Sequence, residues 1–558
     1  MMLKRVRGGI GAVSVLVAAL SVMGAGRAQT PPTMLSSRQE HVMVPMRDGK
    51  RLSAFITIPN GPGKWPVLFQ QAYGDISGAG MKQVQARLAA SGYVVAAANF
   101  RGCYQSEGAY QGYRALGWGK LKDGYDLCEW FAMQPWSNGK VGTFGGSQGG
   151  YAQNFLAVTR PPHLAAQFMT DTGLSLYQEG YRIGGTTRPE RFKTQMDAVC
   201  RDPKDNRNLI AEWFRHPKYD DYWRDEDCAL HFDRMNVPCF TLGSWFDFMN
   251  QGSVESFIGR QHRADVNSRG RQQLLIGPWL HGGAKASQIG DLTFPKNAAI
   301  DLNDMMLRWF DYHLKGIGNG VDSQPTVSYY VMGAVGEPGA PGNVWRTSSD
   351  WPVSHTNTSF YLQEGGGLST GRPVARASAT RFVADPLKPA EIPGRAFPGA
   401  KDARAYEAQK EVRTFTSPVL ESPLEWTGKV ETELFVTSNA PDTDFIVRVS
   451  DVYPDGRSIL LVDYVRRARY RDGFEKELFM TEGEIYRVRF QVGWLSQVFN
   501  KGHRIRVTVA STGAPFYEPN PNTGEPLTVD WPAKSRIAEN SVLHDRAHAS
   551  RIIAPVAK

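Results

Sequence analysis

The feature that most constrains the fold of this chain is a five-residue segment, Gly-Gly-Ser-Gln-Gly, at positions 145–149. It lies between a short apolar run at 141–144 and a segment at 151–158 that can be helical. A strand, a tight turn and a helix in this order hold the hydroxyl of Ser147 clear of its neighbours. The turn crowds the residues two before and two after the serine, where glycine fits because it has no Cβ. The segment therefore predicts a nucleophile elbow, although in a chain with 57 glycines the pattern needs support from its surroundings.

The sequence before this turn alternates between strand and helix patterns. Short apolar runs at 66–69 and 93–98 are typical of buried parallel strands. Residues 81–91 have helical spacing and end at Gly92, and residues 123–133 form a second helical pattern. This order predicts an α/β fold with a doubly wound sheet.

A chain of 558 residues is too long for one core, so we expect several domains. Residues 174–235 are rich in aromatic and charged side chains and lack strand patterns, which indicates a helical cap. Beyond residue 324 the apolar period becomes two, as in 484–493 and 503–511, which predicts an antiparallel β-sandwich. The predicted organisation is a signal peptide at 1–28, a first part of the α/β core at 29–173, an inserted helical cap at 174–235, a second part of the core at 236–322 and a β-sandwich jelly-roll domain at 323–558.

The N-terminus has the composition of an export signal. Lys4, Arg5 and Arg7 precede an uncharged stretch at 8–26, and small residues at 24–28 suit a cleavage site. We expect this segment to be cleaved and the protein to be exported, either periplasmic or secreted. The alternative is an uncleaved membrane anchor, because the uncharged stretch approaches the length of a membrane span. No other segment is long and apolar enough to span a bilayer, so we expect no stable membrane span after cleavage.

The charge of the chain does not indicate a polyanionic partner. The formal net charge is +9, and four basic residues with no acidic residue in 1–28 leave +5 for the rest. The densest basic cluster, at 466–471, lies in a strand pattern, which favours a solvated sheet face over a polyanion site. We therefore expect no nucleic-acid partner.

The cysteines do not form a metal or cofactor motif. Their spacings match no zinc pattern, and none is adjacent in sequence to a plausible activating base. An exported protein could pair some of them, although an odd number leaves at least one free. A Cys200–Cys228 disulfide is one such pairing. The five cysteines are Cys103, Cys128, Cys200, Cys228 and Cys239.

A serine hydroxyl is a poor nucleophile and needs an imidazole to take its proton and a carboxylate to orient that imidazole. In a sheet of this kind the acid and then the histidine follow the serine, each on a loop after a strand. Asp247 follows the strand pattern at 238–242, and His281 follows the one at 273–276. Of the eleven histidines, only His281 occupies a Gly-rich loop directly after a strand of the α/β unit. For the acid, Glu255 is the alternative to Asp247, which we favour on position.

A tetrahedral oxyanion also needs hydrogen-bond donors. The backbone N–H of Gln148, directly after the serine, is the first candidate. The second must come from the loop after an early strand, at 70–74, where Tyr73 offers a hydroxyl. Because backbone N–H groups are commoner donors there, position alone explains Tyr73 equally well as a packing aromatic.

Together these residues resemble the cocaine esterase and Xaa-Pro dipeptidyl-peptidase family of serine hydrolases. That family includes α-amino acid ester hydrolases and glutaryl-cephalosporin acylases, and the resemblance covers nearly everything after the signal segment. The matching segments are the Tyr73 loop, Arg101-Gly102, Ser106-Glu107-Gly108, the elbow at 145–149, and residues 245–247, 277–281, 450–456 and 501–506.

The resemblance implies an α/β-hydrolase core, an inserted helical cap and a C-terminal jelly roll beside the active site. It implies that Ser147, Asp247 and His281 form the catalytic triad and that Tyr73 donates to the oxyanion. No metal or organic cofactor is implied.

This sequence departs from the family pattern at three places. Gln148 stands where the family usually has tyrosine, and Asn99 stands where it usually has aspartate. Residues 248–250 are Phe-Met-Asn, whereas α-amino acid ester hydrolases carry acids just after the catalytic aspartate. That activity is therefore less expected.

We expect an exported serine hydrolase that cleaves an ester or amide of a small molecule or short peptide through an acyl-enzyme intermediate. One alternative is an Xaa-Pro dipeptidyl-peptidase, which would need a cap acid such as Glu179 or Asp221 to bind an N-terminal ammonium. The other is a non-catalytic binding protein, and a homo-oligomer is left open. Candidates for the pocket walls, which ordinary packing explains equally well, are Trp118, Tyr177, Trp213, Trp245 and Phe248.

Overall fold

A computed structural model of the protein describes residues 35–188, 194–392, 399–526 and 531–558. The predicted signal peptide at 1–28 lies outside the described residues. Within the described ranges, no helix has the length and apolar character needed to cross a membrane.

The first part of the chain is built on a ten-stranded sheet. The strands up to residue 348 are β1 Ser37–Pro45, β2 Arg51–Pro59, β3 Trp65–Ala72, β4 Val94–Asn99, β5 Ser137–Gly146, β6 Leu164–Thr170, β7 Arg182–Ile183, β8 Thr186–Thr187, β9 Cys239–Ser244, β10 Gln273–Gly277, β11 Gln288–Ile289, β12 Leu292–Thr293, β13 Val327–Val331 and β14 Val344–Ser348. The α-helices are α1 Ala79–Ala90, α2 Asp123–Ala132, α3 Gln148–Thr159, α4 Pro203–Arg215, α5 Asp221–Arg224, α6 Asn250–Arg263, α7 Leu302–Lys315 and α8 Arg404–Glu407. One π-helical turn spans Leu176–Gly180, and 3₁₀ turns span Thr194–Ala198, Cys228–Arg234, Lys296–Ala298, Val321–Ser323, Glu364–Gly366, Ala468–Tyr470 and Trp531–Lys534.

The strand order in this sheet is β1-β2-β4-β3-β5-β6-β9-β10-β13-β14. The seven strands from β4 to β13 in that order run parallel, and β1, β2 and β14 pair antiparallel at the edges. Parallel strands are buried on both faces, which explains why β4 is apolar and fully buried along almost its whole length. Because the strands are parallel, the loops that follow β3, β5, β6, β9 and β10 meet at one edge of the sheet.

Helices cover both faces of the sheet. Leu68 of β3 packs in one apolar cluster with Phe310 of α7, whereas its neighbours Val67 and Phe69 pack in another with Leu127 of α2. Successive strand side chains point to opposite faces, so the two clusters lie on opposite sides of the sheet. The predicted doubly wound α/β core is confirmed.

The core sheet extends further along the chain than the sequence predicts. We placed the end of the core at 322, but β13 pairs in parallel with β10, with Val327 opposite Leu274, and β14 closes the edge. The strand β14 is largely exposed. A short strand pattern fits the core sheet as well as a sandwich, so the sequence does not separate the two cases.

The cap lies between β6 and β9 and contains α4, α5, the short β7–β8 pair and the π-helical turn. Its aromatic side chains do not stay on the surface. Trp213 and Trp223 share one apolar cluster with Phe155 of α3. The cap therefore shares a core with the helix that begins at the predicted elbow.

The C-terminal part is an all-β domain with an eleven-stranded sheet, order β17-β24-β19-β25-β15-β16-β18-β23-β20-β21, in which β22 pairs with β19. Its strands are β15 His355–Gln363, β16 Gly367–Ser369, β17 Ala379–Ala384, β18 Arg413–Thr416, β19 Leu424–Ser438, β20 Asp444–Val452, β21 Ser458–Arg467, β22 Tyr486–Phe499, β23 Arg504–Ala510, β24 Ala538–Leu543 and β25 Arg551–Ala557. Ile505, Val507 and Val509 of β23 are fully buried, as their alternation predicts. The all-β domain is confirmed, and its jelly-roll topology stays a prediction.

The basic cluster at 466–471 is not a solvated sheet face, so that prediction is wrong. Arg467 and Arg469 are each 4% exposed. They pair with Asp444 at 2.9 Å and with Asp442 at 2.8 Å inside the β domain. A buried guanidinium needs such a partner, and the partners come from a strand and turn that are distant in sequence.

Candidate active site

The predicted elbow lies between β5 and α3, and its backbone is strained. Ser147 has φ +54° and ψ −115°, a positive φ that residues other than glycine rarely adopt. Its N–H group donates to the main-chain carbonyls of Thr170 and Asp171, at 3.1 and 3.2 Å. Because Ser147 directly precedes α3, the positive end of that helix dipole lies beside its side chain.

The glycines around Ser147 have different roles from those that the sequence predicts. Gly145 uses a φ of +131°, which glycine alone adopts easily. A Cβ at Gly149 would have its nearest neighbour 3.6 Å away, which is an ordinary contact. A Cβ at Gly146 would lie 2.2 Å from Thr170 Oγ1. The predicted steric need for glycine at position 149 is therefore wrong. The elbow packs against the end of β6 at Gly146, so the steric need lies there.

The structure brings Asp247 and His281 together. Asp247 follows β9 and His281 follows β10, and the two strands are parallel neighbours. The Nδ1 atom of His281 lies 3.0 Å from Oδ1 of Asp247. The alternative acid, Glu255 on α6, faces Lys429 and Trp494 of the β domain instead.

The His281 imidazole is under opposing influences. Burial lowers its pKa, whereas the hydrogen bond to Asp247 and the charges of Asp247 and Asp171 raise it; Arg188 lowers it slightly. The net effect raises the pKa of His281 above its usual 6.5. The carboxylates therefore stabilise the imidazolium form, which a general base must pass through.

A second carboxylate, Asp171, lies behind His281 and was missed by the sequence analysis. It directly follows β6 and is 2% exposed. Its Oδ2 accepts the N–H of Gly282 at 2.7 Å, and its Oδ1 accepts the hydroxyl of Ser244 at 2.7 Å. Burial and the charge of Asp247 raise the pKa of Asp171 to about 7. Asp171 belongs to no motif, and its one signal in the sequence is its place after the strand beside the elbow strand.

Asp171 connects the elbow to the histidine loop. Its main-chain carbonyl accepts the N–H of Ser147, while its side chain holds the residue after His281. One carboxylate oxygen from each of Asp171 and Asp247 and one ring nitrogen of His281 lie within 4.8 Å of one another. The serine, the acid and the histidine loops thus meet at one edge of the sheet, and the carboxylates of Asp171 and Asp247 lie beside the imidazole.

The predicted oxyanion donors also lie at this edge. Gln148 is the first residue of α3, and Tyr73 lies in the loop after β3. Both line one cavity together with Ser147. The side chain of Gln148 has a role that the sequence did not suggest, because its Oε1 accepts the N–H of Tyr73 at 2.7 Å and that of Gly74 at 3.1 Å.

The cavity beside Ser147 is largely aromatic. Of the predicted wall residues, Trp213 lines it, and its ring stacks on Tyr181 with centroids 3.9 Å apart. The other described residues that line it, apart from Ser147, Gln148 and Tyr73, are Tyr110, Tyr113, Tyr151, Leu176, Gly180, Met196 and Met249. These residues come from the cap and from loops far apart in sequence, so no local pattern marks them.

Two predicted wall residues lie elsewhere. Trp118 stacks on Phe155 of α3 with centroids 5.4 Å apart. Tyr177 is fully buried in the cap core, where its hydroxyl donates to the carbonyl of Pro217 at 2.8 Å. Their aromatic rings pack within the shared core, which agrees with the packing explanation that the sequence left open.

The remaining two predicted wall residues, Trp245 and Phe248, line a second cavity where the core, cap and β domain meet. Asp247 also lines this second cavity, so the cavity adjoins the candidate active site. Phe248 lies between the guanidinium of Arg188, 3.9 Å from its ring centre, and the ring of His281, 4.8 Å away.

The fold and its relatives define the protein as a serine hydrolase with an α/β core. The sequence profile of the X-Pro dipeptidyl-peptidase (S15) family matches residues 48–202 and 190–283. The profile of the X-Pro dipeptidyl-peptidase C-terminal non-catalytic domain matches residues 319–553. The chain therefore belongs to the family of serine hydrolases that contains cocaine esterase and the X-Pro dipeptidyl-peptidases.

The similarity to known proteins extends over nearly the whole chain. Cocaine esterase from Rhodococcus sp. (strain MB1 Bresler) is 28% identical, over 93% of this chain and 98% of its own. The crystal structure of an aminopeptidase from the marine sediment archaeon Thaumarchaeota archaeon has a TM-score of 0.82 at 24% identity and covers 96% of this chain and 99% of its own. An α-amino acid ester hydrolase structure has a TM-score of 0.82 at 23% identity and covers 97% and 100%. These two structures share the fold of this chain.

Proposed function

We propose that this serine hydrolase is exported and cleaves an ester or amide bond through an acyl-enzyme intermediate. Ser147 is the nucleophile, His281 is the general base and acid, and Asp247 orients the imidazole. The observation that carries the proposal is the strained Ser147 on the same sheet edge as a histidine whose Nδ1 lies 3.0 Å from a buried carboxylate.

The reaction follows from this arrangement. Because Nδ1 of His281 is bonded to Asp247, Nε2 is the nitrogen that takes the proton of Ser147 as the hydroxyl attacks the carbonyl carbon. His281 then returns the proton to the leaving alcohol or amine, which leaves the acyl group on Ser147. Water, activated by the same imidazole, releases the acid.

The negative charge of each tetrahedral intermediate would be bound beside α3. The N–H of Gln148 is the first donor, and the helix dipole favours an anion at that position. The hydroxyl of Tyr73, which lines the same cavity as Ser147, is the second donor.

An ester or amide with an apolar acyl group fits the cavity better than a free peptide N-terminus. The side chain of Asp221 is fully exposed at the outer face of the cap. Glu179 is buried beside Gly252, and burial and the charge of Asp227 raise its pKa to about 8, so it is mostly neutral at pH 7. Neither predicted acid is therefore suited to bind an ammonium group, and this favours the esterase over the X-Pro dipeptidyl-peptidase.

The proposal is tested with Ser147→Ala. We expect hydrolysis of short p-nitrophenyl esters to fall by about four orders of magnitude or more, because the nucleophile is lost. A fluorophosphonate should add to the wild-type chain at Ser147 and not to the variant, as seen by intact mass and peptide mapping. Ser369→Ala, in the β domain, is the matched control and should behave like the wild type. Wild-type rates in S147A would exclude this assignment.

Export is tested separately. We expect the periplasmic or culture-medium fraction of the native host to contain a chain that lacks residues 1–28. N-terminal sequencing of that fraction decides between cleavage, an uncleaved anchor and retention in the cytoplasm.

A further inference from the structure

Two side-chain amides hold the loop that carries Tyr73. The Oε1 atom of Gln148 accepts the backbone N–H of Tyr73 at 2.7 Å and of Gly74 at 3.1 Å. On the other side, Nδ2 of Asn99 donates to the carbonyls of Ala72 at 3.2 Å and of Gly74 at 2.7 Å. The loop fits closely against the glutamine, since a Cβ at Gly74 would lie 3.2 Å from Gln148 Nε2.

The chemistry of these two side chains is complementary. Gln148 supplies an acceptor for two amides, and Asn99 supplies a donor for two carbonyls; an ionised aspartate at position 99 could not donate. Gln148 and Asn99 are also two of the positions at which this sequence departs from its family pattern. Both departures act on the same loop.

The contact has a consequence for oxyanion binding. In sheet hydrolases the second oxyanion donor is commonly a backbone N–H of the loop after this early strand. Here the N–H groups of Tyr73 and Gly74 are occupied by the Gln148 side chain. Of the donors on Tyr73 and Gly74, the phenol of Tyr73 is therefore the one left to bind the oxyanion.

We infer that Gln148 and Asn99 are positioning residues that hold the Tyr73 hydroxyl at the oxyanion site. This inference rests on the proposed function. Their effect is exerted through Tyr73, so it should appear in the transition state more than in substrate binding.

The test uses Gln148→Met, which keeps the length of the side chain and removes the acceptor, and Asn99→Asp, which keeps the shape and removes the donor. We expect each to lower kcat about tenfold or more while KM changes less than about twofold. In the Tyr73→Phe background the same substitutions should change kcat less than about threefold, because the hydroxyl that they position is absent.

Equal losses of kcat in the presence and absence of the Tyr73 hydroxyl would overturn the inference. Thermal denaturation identifies a variant that fails to fold. If either Asn99→Asp or Gln148→Met fails to fold, the other variant carries the test. Failure of the proposed function is distinguishable, because the wild-type chain would then not be labelled at Ser147 by a fluorophosphonate.

Cys103 and Cys200 lie together at the junction of the core and the cap. The two residues face each other across an antiparallel bridge between the loop after β4 and the cap. The N–H of Tyr104 donates to the carbonyl of Val199, and the N–H of Arg201 donates to that of Gly102. These bonds make the cysteines a non-hydrogen-bonded pair, in which Cα atoms lie about 4.5 Å apart.

That separation falls within the range of about 4.4 to 6.8 Å that a disulfide spans. The Cys103 thiol is hydrogen-bonded to Cys200, and this bond together with burial raises its pKa. The pairing differs from the Cys200–Cys228 disulfide considered from the sequence. In the structure all five cysteines are thiols.

We propose that Cys103 and Cys200 form a disulfide when the chain folds in the presence of a disulfide oxidant. Each cysteine loses one proton and one electron, and the oxidant, a small disulfide such as oxidised glutathione, is reduced to two thiols. The bond would tie the cap to the core at a turn that shapes the substrate cavity, because the carbonyl of Met196, which lines it, accepts the N–H of Cys200.

The full chain is refolded with oxidised glutathione and its thiols are titrated in denaturant. We expect three of the five cysteines to remain free and a 103–200 cross-linked peptide to appear under non-reducing conditions. The Cys239→Ser variant should still lose two titratable thiols on refolding with oxidised glutathione. The Cys103→Ser variant should lose none. Five free thiols in the refolded wild type, or a cross-link to Cys228, would overturn the proposal. The readout is independent of hydrolysis.

Discussion

The carboxylate of Asp171 accepts the backbone N–H of Gly282 at 2.7 Å, one residue after His281. The main-chain carbonyl of Asp171 accepts the N–H of Ser147 at 3.2 Å. One residue at the end of β6 therefore contacts both the elbow and the histidine loop. The relative position of serine and histidine depends on a group that belongs to neither of the two loops.

Replacing this carboxylate should affect stability and activity together. In Asp171→Ala the N–H of Gly282 loses its acceptor, which we expect to cost about 1–3 kcal/mol of unfolding free energy. We expect kcat/KM for a p-nitrophenyl ester to fall about tenfold or more, because the His281 loop is no longer held. Asp350→Asn, which alters an exposed Asp–His pair, is the control and should match the wild type. Wild-type kcat/KM in D171A would contradict this role.

The pH dependence of activity should report the His281 imidazole. Protonated His281 cannot take the proton of Ser147, so kcat/KM falls as the pH drops through its pKa, which lies above 6.5. In Asp171→Asn a negative charge that faces the imidazole is removed, while an oxygen remains to accept from Gly282. We expect the acid limb of the kcat/KM profile to move to lower pH in D171N. An unshifted limb would show that Asp171 does not act on His281 electrostatically.

Gly146 and Gly149, on either side of Ser147, provide a matched pair. A Cβ at Gly146 would lie 2.2 Å from Thr170 Oγ1, so Gly146→Ala must displace the end of β6 or the elbow. We expect a loss of about 1–3 kcal/mol of stability and loss of fluorophosphonate labelling. Gly149→Ala meets its nearest neighbour at 3.6 Å and should retain wild-type stability and labelling. Equal behaviour of G146A and G149A in denaturation and labelling would contradict the steric argument.

The wall residue Trp213 should control the size of the acyl group. Trp213→Ala enlarges the cavity beside Ser147, and we expect the ratio of kcat/KM for a bulky over an acetyl ester to rise about tenfold. Trp118→Ala removes an equal ring from the packing against Phe155 and should leave that ratio unchanged. Rates are normalised to the fraction that a fluorophosphonate labels. An unchanged ratio in W213A would remove Trp213 from the acyl site.

The contact between core and β domain should depend on pH through His503. Its Nδ1 bonds Asp451 at 2.7 Å and its Nε2 bonds Glu337 at 2.9 Å. Burial lowers the pKa of His503, but these carboxylates outweigh it and raise the pKa above 6.5. A raised folded pKa means that the stabilisation is complete below 6.5 and is lost as the pH rises through the folded value. We expect Tm to fall between pH 6 and 9 in the wild type, with a smaller fall in His503→Gln. Parallel curves would contradict the prediction.

Local pattern and chain order were sufficient for the elbow and for the two loops that carry Asp247 and His281. Each lies directly after a buried strand, and parallel strands bring their carboxyl ends to one edge. The same argument rejects Glu255, which the structure places on α6 facing the β domain. It could have indicated Asp171, which also follows a central strand.

The spacing of apolar and polar residues did not predict two other features, the end of the core and the burial of two arginines. The short strand pattern at 327–331 fits a strand of the core sheet as well as a sandwich strand, so the core boundary was placed too early. The arginines at 467 and 469 alternate as a solvated face would, but their partners Asp444 and Asp442 bury them.

The sequence by itself determined the α/β class, the strained turn at Ser147 and the order of acid and histidine, because these depend on residues adjacent in the chain. The tertiary structure alone decided that the Gln148 side chain holds the Tyr73 loop, that Asp171 lies behind His281 and that Trp213 rather than Trp118 lines the cavity. Those relations join residues that are 75 or more positions apart or choose between chemically equal side chains. Only the packing of the cap and the loops against the sheet supplies that information.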